Sequence, residues 1–169
     1  KVLADVGLVG LPNAGKSTLL SVMTTAKPKI ADYPFTTLQP HLGIVKYGEY
    51  QSFVMADIPG LIEGASEGKG LGHQFLKHIE RNKILLFMID IEEQNPIDVY
   101  NQLMDELVGF NKDLLDKDRL IVRTKIDTAS EDVDERWSSF PEEFIDISSV
   151  SNQGLNTLKD KLVSFLSAS

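Results

Sequence analysis

The sequence predicts an α/β three-layer sandwich, with a six-stranded, mainly parallel sheet carrying one antiparallel edge strand and five helices. Three observations predict it. Short apolar or β-branched runs alternate with stretches of helical spacing along the chain. The run Ile84 to Asp90 is apolar at nearly every position, as a strand covered on both faces must be. A glycine-rich turn joins the first strand to the first helix, the connection such sheets use at their carboxyl edge.

Each element follows in order. Val2 to Val9 is apolar apart from Asp5 and reads as a strand, and Lys16 to Met23 places Leu19, Leu20 and Met23 at helical spacing. Leu42 to Tyr47 and Ser52 to Asp57 flank Gly48-Glu49-Tyr50-Gln51, which suits an antiparallel hairpin. Gly72 to Arg81 has Phe75, Leu76 and Ile79 on one helical stripe, followed by the buried strand Ile84 to Asp90. Pro96 to Leu115 opens with Asn95-Pro96, a helix start, and lines up Leu103, Leu107, Phe110 and Leu114 ahead of the strand Arg119 to Arg123. A weaker helix over Glu131 to Phe140 stops before Pro141, Phe144 to Ile147 is the last strand, and Asn156 to Leu166 is an amphipathic closing helix.

The 169 residues, 42% of them hydrophobic, suit one compact domain spanning residues 1–169. The chain has no apolar run long enough for a membrane span, and Asp5 interrupts the start too early for a signal peptide; the expectation is a soluble, cytoplasmic, monomeric domain that does not engage a membrane. With no cysteine, disulfides and thiolate metal sites are excluded. A net charge of −8 opposes broad attraction to nucleic acid, so an RNA-containing partner would have to be gripped locally. The apolar stripes are core, and chemistry is expected from the loops.

Gly10-Leu11-Pro12-Asn13-Ala14-Gly15-Lys16-Ser17 fits G-x-x-x-x-G-K-S/T between a strand and a helix. Its glycines let successive backbone N–H groups face phosphate oxygens, and the helix N-terminus adds a positive dipole. Lys16 would reach the β- and γ-phosphates, and the Ser17 hydroxyl would ligate a bridging Mg²⁺. The fold class thereby narrows to a P-loop NTPase.

Asp57-Ile58-Pro59-Gly60 follows a strand, where an acid can hold a metal-bound water and a glycine N–H can meet the γ-phosphate. Thr36 and Thr37, in the long loop after the first helix, supply hydroxyls that can complete Mg²⁺ coordination only with a triphosphate. Gly60, Gly64, Gly68, Gly70 and Gly72 would let the second segment rearrange when that phosphate is lost. Thr124-Lys125-Ile126-Asp127 follows the fifth strand. The Asp127 carboxylate can accept from guanine N1–H and the 2-amino group, whereas adenine offers an acceptor and no amino group. The Lys125 stem would pack along the base, and Ser148-Ser149-Val150 would offer a backbone N–H to guanine O6.

Taken with these motifs, Ala4 to Gly10, Ala26 to Leu38, Asp57 to Ala65 and Gly70 to Leu76 resemble the G domain of the Obg family of ribosome-associated GTPases. The resemblance covers about Ala4 to Leu166 and implies GTP and GDP contacts at Gly10 to Ser17, at Phe35, Thr36, Thr37, Leu38 and Gln39, at Asp57, Ile58, Pro59 and Gly60, at Thr124 to Asp127, and at Ser148 to Val150. It implies Mg²⁺ at Ser17 and Thr37, to which the residue reading adds Asp57 through a metal-bound water; catalysis is expected from Lys16, Thr37 and Gly60. It also implies glycine-rich N-terminal and C-terminal domains that this sequence does not contain, and roles in large ribosomal subunit assembly and stress responses, with the large subunit as partner.

Two departures stand out. The family's guanine motif usually begins with Asn, and here the position is Thr124, which can make one hydrogen bond but lacks a second amide group; GTP specificity is expected to persist with weaker affinity. The position after D-x-x-G, often a water-orienting Gln, is Leu61, so intrinsic hydrolysis is expected to be slow. Asn13 is a candidate ligand for K⁺, as in potassium-activated relatives of the family; the alternative is an ordinary loop Asn. Two other readings stay open: an ATP-using P-loop enzyme, which Asp127 and the lack of an arginine-rich lid oppose, and a nucleotide-bound module without turnover.

Overall fold

The protein is described from a computed structural model covering residues 4–30, 40–57, 82–110 and 112–168. The sheet has seven strands in the order β2-β3-β4-β1-β5-β6-β7: β1 (Val6–Gly10), β2 (Lys29–Ile30), β3 (His41–Tyr47), β4 (Gln51–Asp57), β5 (Ile84–Asp90), β6 (Arg119–Thr124) and β7 (Phe144–Asp146). Four α-helices lie among the described residues: α1 (Lys16–Met23), α2 (Pro96–Phe110), α3 (Val133–Trp137) and α4 (Leu155–Ala168).

The α/β sandwich is as expected, with one strand more. β2 is two residues long, too short to leave a periodic signal, and pairs antiparallel with β3 through Lys29↔Leu42 and Ile30↔His41. The antiparallel strand, β3, is therefore second from the edge rather than at it. The expected helix over Gly72 to Arg81 lies outside the described residues.

Two helix lengths are also corrected. α2 ends at Phe110, where Gly109 weakens the last turn, and the chain resumes as a short 3₁₀ turn, Lys112–Asp116, that still buries Leu114. α3 is only Val133–Trp137; Ser138 N–H bonds to Glu135 O and Phe140 N–H to Trp137 O, tight i→i+3 bonds that end the helix and carry the chain up to Pro141.

Two cores result, one on each face of the sheet. Leu19, Leu20 and Met23 of α1 join Leu155, Leu158 and Leu162 of α4 against Leu8, Leu86 and Val122. On the other face Val99, Tyr100, Leu103 and Leu107 of α2 join Val133 and Trp137 of α3 against Val9, Phe87 and Ile121. Each of β1 and β5 supplies alternate residues to both cores, which explains why Ile84 to Ile89 is an unbroken apolar run.

β6 and β7 are fastened by a charged pair. The Arg123 guanidinium, 9% exposed, donates to both carboxylate oxygens of Asp146 at 2.5 and 2.7 Å, and lies 4.3 Å from the Phe144 ring centre and 5.2 Å from that of Trp137. This two-pronged bond between registered neighbours, Arg123↔Asp146, fixes the two strands where they deliver their carboxyl ends.

Candidate nucleotide-binding site

β1, β4, β5, β6 and β7 run parallel, so their carboxyl ends open on one rim. Chain order reverses about β1, which places the rim's crevice at the loop following that strand. The predicted site residues emerge there: Gly10 from β1, Asp57 from β4, Thr124 from β6 and Ser148 just beyond β7.

The loop after β1 is a 3₁₀ turn, Pro12–Ala14, leading through Gly15 into α1. Gly15 sits at φ +89°, a left-handed conformation that L side chains rarely adopt, and this reversal turns the chain from the loop into the helix. Gly10 answers a packing demand: a Cβ there would fall 2.8 Å from the Met88 carbonyl of β5. The Lys16 ammonium donates to the carbonyls of Gly10 at 2.7 Å and Leu11 at 3.2 Å, so it folds back over the concavity of its own loop. Ser17 stands exposed in the first turn of α1.

Asp57, the last residue of β4, is 5% exposed. Its Oδ1 is buried with no hydrogen-bond partner, while Oδ2 is 4.0 Å from His41 Nδ1. Burial pushes its carboxyl above the usual carboxylate range, opposed by the positive charge of Lys16 and then that of His41. An orphaned, buried carboxylate oxygen is the kind of hard oxygen donor that a divalent cation such as Mg²⁺ takes.

The sign of this shift makes a prediction. A carboxylate whose folded-state pKa is raised opposes folding once it ionises, so stability falls as pH rises from the unfolded pKa through the folded one. Asp57→Asn removes that penalty. The nucleotide-free variant is expected to melt at or above wild type at pH 7, with its pH-dependence of Tm flattened between the unfolded and the raised folded pKa of Asp57; a clearly lower Tm at pH 7 would refute this.

At the far end of the rim, Ala14, Gly15, Thr18, Thr124, Lys125 and Asp127 line a cavity of about 170 Å³, with Ser149 and Val150 at its mouth. Asp127 is held there by Ser148, whose fully buried hydroxyl donates to Asp127 Oδ1 at 2.8 Å. Lys125, in a left-handed conformation at φ +60°, spans from its own loop to the phosphate loop: its ammonium donates to Asn13 O at 2.5 Å and pairs with Asp90 Oδ2 at 3.2 Å. Ile126 N–H bonds to Ile147 O, joining the two loops through the backbone as well.

Several expectations are refined by these contacts. The single hydrogen bond expected of Thr124 is not made: its hydroxyl is buried without a partner, and Lys125 instead carries the tie to the phosphate loop. The Ser148 N–H is taken by Gln153 O at 2.9 Å, which leaves Ser149 and Val150 as the residues of that loop at the cavity mouth. Asn13 Nδ2 donates to Glu93 Oε1 at 3.2 Å, so only its amide oxygen faces away from that bond. Phe35, Thr36, Thr37, Leu38, Gln39, Ile58, Pro59, Gly60 and Leu61, with the glycines from Gly64 to Gly72, lie outside the described residues. Missed from the sequence were the Ser148 hydroxyl, Asp90 and Thr18. Ser148 was read only for its loop's backbone, Thr18 lies one residue past the phosphate-loop pattern, and Asp90 belongs to no short motif, so each role shows only through tertiary proximity.

Fold and rim define a P-loop nucleotide-binding domain. The family model described as "50S ribosome-binding GTPase" matches residues 5–125. Over 98% of this chain, the GTPase Obg of Flavobacterium psychrophilum is 59% identical, with 51% of that protein covered. The GTPase Obg of Pelodictyon phaeoclathratiforme is 62% identical over 96% of the chain and 48% of its own length. Among solved structures, the cytosolic domain of the T. maritima FeoB iron transporter in its apo form superposes with a TM-score of 0.69 at 22% identity, covering 95% of this chain and 62% of that one. That likeness concerns the fold alone. The chain belongs to this GTPase family and is the G domain of an Obg-type member. It spans about half the length of the curated relatives it matches. No helix among the described residues is long and apolar enough to cross a membrane.

Proposed function

We propose that the domain is a guanine-nucleotide switch that binds GTP with Mg²⁺ and hydrolyses it slowly to GDP. The observation carrying this reading is the Asp127 carboxylate, fixed by Ser148 at the cavity that Gly15 and Lys125 share with the phosphate loop. A carboxylate so placed accepts from guanine N1–H and its 2-amino group. Phosphates would lie over the Gly10–Ser17 loop, displacing the Lys16 ammonium from its carbonyls onto their oxygens. Ser17, Thr37 and Asp57 would hold Mg²⁺, which neutralises charge building up between the β- and γ-phosphates. Lys16 and the loop N–H groups stabilise that charge from the protein side, and Gly60 would meet the γ-phosphate. Leu61 cannot orient water, which supports slow turnover. The description of the family as a 50S ribosome-binding GTPase supports a role at the large ribosomal subunit.

Single-turnover hydrolysis of GTP with Mg²⁺, in K⁺ and in Na⁺ and with ATP as control, tests the reading. Slow, GTP-selective turnover is expected, faster in K⁺, with the K⁺ response lost in Asn13→Ala because the amide oxygen is removed. Equal turnover of ATP would overturn the assignment of Asp127, binding without turnover would overturn the hydrolytic assignment, and equal rates in both salts would remove K⁺ from it.

A further inference from the structure

Away from the nucleotide rim, a groove of about 490 Å³ runs between the end of α1 and the β2–β3–β4 end of the sheet. Its floor is aliphatic, with Leu42, Ile44 and Val54 among its residues, and Lys27, Lys29 and Lys46 stand along it. Ile44, on the groove floor, is 54% exposed, and Ile30 of β2, at the sheet edge, is 59% exposed.

The charge here is the reverse of the molecule's. The chain carries 25 acidic against 17 basic residues, yet among the described residues three lysines and no carboxylate line this groove. An anionic partner with an aliphatic anchor is the chemistry that matches. Single-stranded nucleic acid fits less well, because stacking of bases calls for aromatic or arginine planes and the groove's described residues offer neither. The net charge of −8 would also repel a polyanion at long range, whereas a short peptide brings only a few charges to meet the lysines.

We propose that this groove docks an acidic polypeptide segment, with an aliphatic side chain seated on Leu42, Ile44 and Val54 and flanking carboxylates paired with Lys27, Lys29 and Lys46. The site is separate from the nucleotide cavity, whose lining shares none of these residues. Binding is therefore testable without disturbing GTP.

The experiment selects displayed random short peptides on the 169-residue chain, then measures the winners by fluorescence anisotropy. Two variants are compared with wild type: the triple Lys27→Glu/Lys29→Glu/Lys46→Glu, and Ile44→Ser; GTP binding by each reports that the fold and the nucleotide site are intact. Expected are peptides combining Asp or Glu with Leu, Ile or Val, whose affinity falls at least about tenfold in both variants, with GTP binding unchanged. The proposal is overturned if no acidic–aliphatic sequences emerge, if their binding survives both variants, or if labelled oligouridylate binds the groove and displaces them.

Discussion

Asp127→Asn is expected to weaken GTP binding by roughly 10²- to 10⁴-fold, as one charge-assisted hydrogen bond of about 1.5–3 kcal/mol is lost to a buried donor–donor clash and the other falls to a neutral one. The direction follows from donor and acceptor chemistry. An amide can present one oxygen and one NH₂ toward the base, but the guanine edge offers two donors, so one contact becomes donor against donor. Xanthine carries a carbonyl where guanine has its amino group, so the same variant is expected to gain affinity for XTP relative to wild type. Ser148 can still donate to the remaining side-chain oxygen, so the loop geometry and Tm should change little. Titration with fluorescent GTP and XTP analogues checks both halves. Retained GTP affinity in a folded variant would remove Asp127 from base recognition.

Lys16→Ala has the second large effect, and it falls on rate. The ammonium is the one full positive charge carried by the Gly10–Ser17 loop, and it rests on carbonyls that it can exchange for phosphate oxygens without moving the backbone. Removing a positioned charge of this kind lowers single-turnover hydrolysis by on the order of 10²–10³-fold. It also withdraws the larger of the two charges that restrain the buried Asp57 carboxyl, whose pKa is then expected to rise further. Single-turnover rates with saturating GTP, together with the pH profile of Tm, distinguish the two consequences. Turnover within about threefold of wild type would contradict a role for Lys16 in charge stabilisation.

Much of the fold was legible because its signals are local. α1 and β5 fall at the residues that periodicity marks, since a helix stripe and a doubly buried strand each write their period into consecutive positions. β2 was not legible: two residues carry no period, and only pairing with His41 and Leu42 makes them a strand. The phosphate loop was readable because its geometry demands glycine at Gly15 and tolerates little at Gly10. The supporting contacts were not. Ser148 and Asp127 are separated by 21 positions and Lys125 and Asn13 by 112, and no spacing rule connects residues that meet only because β1, β6 and β7 end on the same rim. The unmet hydroxyl of Thr124 belongs with these, since its burial is decided by its strand neighbours rather than by its own motif.

The Arg123–Asp146 pair has a thermodynamic consequence for the proposed switch. It clamps β6 to β7 one residue before Thr124 and two before Ser148, and the adjoining Phe144 and Trp137 rings pack beside the guanidinium. Under the proposed function, a base cradle anchored this way would hold the guanosine shared by GDP and GTP in the same grip. Contacts that are equal in two states raise affinity for both and cannot favour one over the other. The energy that distinguishes an on-state from an off-state must therefore be drawn wholly from the phosphate end, and the clamp leaves the base end as ballast: it keeps a nucleotide aboard while giving no information about which one it is.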